Sequence, residues 1–110
     1  MNYLRGDIVL FPYPFTDLQA KKVRPAVIVS LPGGKYEDVF IVPLTSRIHN
    51  LSDGEFLLGK WKAAGLNVPT AVKRGCVLVD TALILTKIGN VQSEELFNIE
   101  KSLKKWLYLI

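Results

Sequence analysis

The strongest restriction on this chain is its punctuation. Through the first two thirds, short β-branched and aromatic runs are broken every few positions by proline, glycine or acidic and amide residues. No run there is long enough for an amphipathic helix, so this region is expected to be short strands joined by turns, a small β-sheet or barrel. Asp7–Phe11 reads as the first strand, followed by a loop carrying Pro12, Pro14 and Asp17. Val23–Leu31 reads as the second, and its continuous run Ala26-Val27-Ile28-Val29 is expected of a strand covered on both faces. Pro25 must then sit where no ladder donor is needed. The turn Pro32-Gly33-Gly34 leads into a third strand, Val39–Leu44, with Thr45 and Ser46 at its end.

Farther on, Ser46–Asp53 is a polar loop, Glu55–Leu58 a short strand and Trp61–Leu66 a helical turn ended by Gly65. Val68–Lys73 and Cys76–Val79 are further strand candidates. After Asn90 the period changes, and Leu96, Ile99, Leu103, Trp106, Leu107 and Ile110 follow a helical stripe. Ser93 is the expected N-cap, with Glu94 and Glu95 in the first turn and Lys101, Lys104 and Lys105 toward the other end, charges that suit both poles of a helix. The stripe is expected to pack on the sheet.

A length of 110 residues suits one domain spanning 1–110, and 49% hydrophobic with 22% charged residues is globular composition, neither disordered tail nor membrane span. The net charge of +4 permits a polyanionic partner. It arises in the second half, since residues 1–55 hold six basic and six acidic side chains against eight and four in 56–110. Cys76 is the single cysteine and His49 the single histidine, so intrachain disulfides, thiolate-rich zinc sites and paired-histidine acid–base chemistry within one chain are all excluded. A reducing compartment is expected, and the interrupted apolar start gives no export signal, so the cytoplasm is the expected location. No metal or other cofactor is expected, and no membrane association.

The chemistry that remains is cationic. Lys21, Lys22 and Arg24 lie at one strand end and Thr45, Ser46 and Arg47 at another. Guanidinium forks and hydroxyls suit phosphate oxygens. His49, in a polar loop, is expected to be solvated, and Gly33-Gly34 is a hairpin turn with no helix after it to make a phosphate cradle.

Taken in order, Arg5-Gly6-Asp7-Ile8-Val9-Leu10, Pro12-Tyr13-Pro14-Phe15-Thr16-Asp17, Val23-Arg24-Pro25-Ala26-Val27-Ile28-Val29 and Val42-Pro43-Leu44-Thr45-Ser46 closely resemble the PemK/MazF family of type II toxins. The segment Trp61-Lys62-Ala63-Ala64-Gly65-Leu66 with Pro69-Thr70 resembles the PemK-like branch. The resemblance implies an SH3-like β-barrel with a C-terminal helix, usually dimeric, acting as a metal-independent endoribonuclease on single-stranded mRNA and held in check by an antitoxin. It carries the catalytic roles to Arg24 and Thr45, with Ser46 a weaker companion.

The sequence departs from the family pattern in two places. The loop Gln19-Ala20-Lys21-Lys22 lacks the His or Glu of some members and leaves Asp17 as the nearby carboxylate for a general base. Lys73 and Gly75 stand where one branch has Arg and Asp. Lys73, Lys21, Lys22 and Arg47 are candidate phosphate contacts, and Tyr13 a candidate base-stacking ring. Two alternatives keep the fold without the cleavage: a gyrase-inhibiting relative of the CcdB toxins, and a degenerate member that binds RNA or antitoxin alone.

Overall fold

The computed structural model describes residues 3–13, 22–31 and 33–109, with Tyr13 as backbone alone. Its elements are β1 (Asp7–Tyr13), β2 (Lys22–Ile28), β3 (Asp38–Thr45), β4 (Phe56–Leu57), β5 (Ala71–Val72), β6 (Val77–Asp80), a 3-10 turn (Thr81–Leu83), β7 (Thr86–Asn90) and α1 (Ser93–Trp106). The strands run β4-β5-β3-β2-β1-β7, with β6 on the first half of β3. Each ladder is antiparallel. A mainly β chain with one C-terminal helix is therefore what the sequence implied. Among the described residues the hydrogen-bonded path is open, since β4 and β7 share no ladder.

Strand alternation divides the interior into two packed layers. Ile8, Val27 and Val42 lie side by side across β1, β2 and β3, and with Leu44 and Val72 they form one layer. Ile99 of α1 is fully buried in it, with Leu96, Leu103 and Trp106 packed around. Val9, Phe11, Ala26, Ile28, Val39 and Ile41 fill the other layer with Val79 and Ile84. This explains the uninterrupted Ala26-Val27-Ile28 run: all three are 0% exposed because both faces of β2 are covered.

The start of the chain is tied down by its own motif. Arg5 donates Nε to the Val29 carbonyl at 3.0 Å and pairs with Glu100 of α1 at 2.8 Å. Gly6 bridges β2 and the approach to α1, donating to Ile28 O at 2.7 Å and accepting from Val91 N at 2.9 Å. Asp7, only 2% exposed, accepts the Leu4 amide at 2.7 Å and pairs with Lys87 at 3.2 Å. A buried carboxylate survives because both partners are there to replace water.

Several element limits differ from expectation. β1 continues through Pro12, which sits opposite Val23, and β2 ends at Ile28 short of Leu31. The fifth strand contracts to Ala71–Val72, with Leu58 N on Thr70 O at 2.9 Å as one more bond in the β4–β5 register. Ser93 is the first helical residue; the N-cap is Gln92, which makes no side-chain cap bond. Ile110 lies outside the described residues. Trp61–Leu66 does wind into a turn, with Ala64 N on Lys60 O and Leu66 N on Trp61 O, each at 3.1 Å. The strand β7 had no signal in Thr86-Lys87-Ile88-Gly89-Asn90. Its glycine answers a tertiary need: a Cβ on Gly89 would fall on the Ala64 carbonyl oxygen, so the 60–66 turn can lie flat on β7.

Candidate functional site

The ladder between β2 and β3 runs Ile28↔Ile41, Val27↔Val42, Ala26↔Pro43 and stops. Continued at the same register it would bring Arg24 opposite Thr45. Pro25 has no amide hydrogen with which to extend it, so β2 and β3 diverge beyond this point; the Pro43 nitrogen and carbonyl face the other way, toward Gly75 and Lys73. Where they diverge there is a cleft of about 240 Å³, lined by Lys22, Arg24, Pro43, Leu44, Thr45, Arg47 and Lys73. The proline that ends the ladder, Pro25, thus opens the site.

Four of those seven residues are basic, and one carries a hydroxyl. Arg24 is half-buried and lies across the β1–β2 ladder from the buried Phe11. Thr45 is also half-buried, and its Oγ1 accepts the Arg47 amide at 3.0 Å. That bond fixes the oxygen at the cleft edge and leaves the hydroxyl proton for a different acceptor. Lys22, Arg47 and Lys73 are exposed at the rim. Among the described residues the lining includes no carboxylate and no imidazole, so the cleft is cation-lined and its chemistry suits an anion.

Lys73 reaches the rim because its amide donates to the Pro43 carbonyl at 2.9 Å, drawing the segment after β5 onto β3. Gly75 lies against the Pro43 ring, where a Cβ would come within 3.1 Å of Cγ and Cδ. Behind this segment, Glu55 accepts the Arg74 amide at 2.8 Å and the Ser52 amide at 2.7 Å. Those two amides hold its carboxyl below the usual carboxylate range. Cys76, just beyond, is exposed, and partial burial pushes its thiol up.

The sequence expectations sort clearly. Arg24, Thr45, Lys22, Arg47 and Lys73 come together, although Lys73 is 49 positions from Arg24 in the chain. Ser46 is exposed and does not line the cleft. Lys21 and Asp17 lie outside the described residues, as does the Tyr13 side chain, while the Tyr13 backbone pairs with Lys22 at the end of β1. His49 is exposed in its loop. No expectation included Pro43 or Leu44 in the lining, or Glu55 on the Arg74 amide; Pro25 was visible as a strand proline, but not as the point where β2 and β3 separate.

The model of the PemK-like, MazF-like toxins of type II toxin-antitoxin systems matches residues 4–107. The chain belongs to this family. No curated protein matches it. Solved members share its fold at low identity. MazF from Deinococcus radiodurans is 20% identical with a TM-score of 0.78, covering 99% of each chain. A mycobacterial endoribonuclease in complex with its cognate antitoxin is 21% identical with a TM-score of 0.77, covering 98% of this chain and 97% of that one. The Mycobacterium tuberculosis toxin MazF-mt6 is 16% identical with a TM-score of 0.72, covering 94% and 98%. A MazF-like toxin of this family therefore presents a basic cleft where β2 and β3 diverge. Among the described residues no helix is long and apolar enough to cross a membrane.

Proposed function

We propose that this toxin is a metal-independent, sequence-specific endoribonuclease that cleaves single-stranded mRNA in the cleft between β2 and β3. The observation that carries the reading is the convergence of Lys22, Arg24, Arg47 and Lys73 around the Thr45 hydroxyl. Such a set matches a phosphodiester in geometry and charge, and it has no donor set suited to a divalent ion among its described residues.

In this reading the substrate 2′-oxygen attacks the adjacent phosphorus and the bond to the 5′-oxygen breaks. The products are a 2′,3′-cyclic phosphate and a 5′-hydroxyl. Arg24 stabilises the charge that builds on the non-bridging oxygens, a role for which a guanidinium is suited because it keeps its protons at neutral pH. Thr45 donates to one of those oxygens. The 2′-hydroxyl proton is taken by a general base, for which Asp17 is the candidate, and the 5′-oxygen is protonated as it leaves. Lys22, Lys21, Arg47 and Lys73 hold flanking phosphates, Ser46 sits beside the strand's path, and Tyr13 stacks a base.

The same cleft is proposed to take the acidic segment of a cognate antitoxin, in competition with RNA, and two subunits are proposed to pair so that their clefts form one longer groove. The mycobacterial relative in complex with its cognate antitoxin supports the existence of such a partner. Incubation with a long RNA in EDTA tests the catalytic reading. Cleavage with 2′,3′-cyclic phosphate ends is expected, and a substrate carrying a 2′-deoxy nucleotide at the cleaved position should stay intact. Cleavage of that deoxy substrate, or activity only with added Mg²⁺, would overturn the mechanism. Bound but uncleaved RNA would favour the degenerate binding module.

A further inference from the structure

Lys73 is an exposed side chain on the residue after a two-residue strand, a place where a cation ordinarily wanders. Here both peptide groups that flank it are held. Its own N–H is on Pro43 O at 2.9 Å, and the next N–H, that of Arg74, is on Glu55 Oε2 at 2.8 Å. The other Glu55 oxygen takes the Ser52 N–H at 2.7 Å, while the Glu55 N–H returns to Ser52 O at 2.9 Å. One carboxylate therefore joins the loop that leaves Thr45 to the segment that carries Lys73.

The post itself is rigid. Trp106 Nε1 donates to Asp53 O at 2.9 Å, and Ser102 Oγ to Gly54 O at 2.7 Å, so α1 grips the residues just before Glu55. None of the ion pairs among the described residues involves Glu55; its oxygens serve backbone amides. We propose that Glu55 is a positioning residue for RNA binding, acting through Lys73 by holding that lysine's backbone against the cleft. The inference rests on the reading of the cleft as an RNA site.

Charge and position predict opposite signs here. If Glu55 acted only by its charge, deleting a carboxylate that feels the Lys73 charge would leave the cleft more positive and tighten binding of a polyanion. If it positions Lys73, its loss weakens binding even though the site becomes more positive. The probe is a fluorescein-labelled, fully 2′-O-methylated single-stranded oligonucleotide of mixed sequence, which cannot be cleaved through its 2′-oxygens, followed by anisotropy in EDTA. Lys73→Ala is expected to weaken binding about fivefold and Glu55→Ala about threefold, with the double variant no weaker than Lys73→Ala because the two act as one unit. Glu55→Gln, which keeps one acceptor, should fall between Glu55→Ala and wild type.

Binding by Glu55→Ala that equals or exceeds wild type overturns the proposal, and so do single effects that multiply in the double variant. Circular dichroism checks each fold, and if Glu55→Ala fails to fold, the same cycle is run with Glu55→Gln, which must then lose affinity only when Lys73 is present. If Lys73→Ala and Arg24→Ala both bind as wild type, the cleft is not the RNA site and this inference falls with that reading.

Discussion

Ionic strength provides the most direct measure of what the cleft does. Lys22, Arg24, Arg47 and Lys73 line it, and a single strand laid along it would meet all four. Each neutralised phosphate of a single strand adds about 0.7 to the slope of log affinity against log salt, so four give about −2.8, a loss of about 50-fold between about 50 and 200 mM. Removing one cation lowers the slope to about −2.1 and the loss to about 20-fold over the same range. The assay is anisotropy of an uncleavable 2′-O-methylated strand at four or more salt concentrations, for the wild type, Lys73→Ala and Arg47→Ala. Parallel plots for wild type and both variants would refute the reasoning, because cations that touch phosphate must release counterions. A slope near zero in the wild type would refute it more deeply, since the four charges would then not meet the backbone at all.

Other expectations follow from the same geometry. Arg24→Ala should lower kcat by about 10²–10³-fold with a smaller change in affinity, and Thr45→Val should resemble it; a near-normal rate in a folded Arg24→Ala protein would remove Arg24 from the chemistry. Gly89→Ala should cost at least about 3 kcal/mol, because the new methyl meets the Ala64 carbonyl and backbone must move; thermal unfolding within about 2 °C of wild type would contradict this. Glu55 binds its proton less readily when folded than when unfolded, so its stabilising contribution is complete above the ordinary carboxylate value of 4.5 and is lost as pH falls through the lowered folded value. Glu55→Gln should accordingly lower Tm at pH 7, with the gap to wild type narrowing as pH falls below 4.5; a gap of unchanged size down to the acid limit of folding would show that the effect is not the carboxylate's ionisation.

What could be read from the sequence follows from how local each cause is. The run Ala26-Val27-Ile28 declared its double burial because hydrophobicity is a property of each residue. The α1 stripe was legible for the same reason, and Ile99 is buried as its place in the stripe requires. β7 was not legible: Thr86, Lys87 and Gly89 make a weak strand pattern, and the strand exists because β1 offers it a ladder and the 60–66 turn needs a bare backbone to lie on. Ser93 is not the cap because the first helical bond, Leu96 N on Gln92 O at 2.9 Å, already places Ser93 inside the helix, a one-residue shift that no local signal marks. At the site, Arg24 and Thr45 were recognisable from motif order, and Lys73 was suspected. That Pro25 falls where the β2–β3 ladder would need its amide depends on the register between those strands, and the grip of Glu55 on Arg74 spans 19 positions; neither is written in any short stretch of sequence.

The pairing of β1 with β7 bears on when such a protein becomes dangerous. Its first strand finds a partner at Lys87 and Asn90, and its larger packed layer is completed by Ile99, so early and late segments depend on each other. A nascent chain halted before β7 lacks one of the two neighbours of β1, the ion partner of buried Asp7 and the helix that holds Asp53 and Gly54. Arrested chains ending at Asp80 are expected to remain protease-sensitive and inert toward RNA, and protection of such a chain would contradict the expectation. On the proposed function, a chain arranged this way has no working cleft until α1 has been made and has gripped the 53–54 carbonyls, so its activity is tied to completion of the fold.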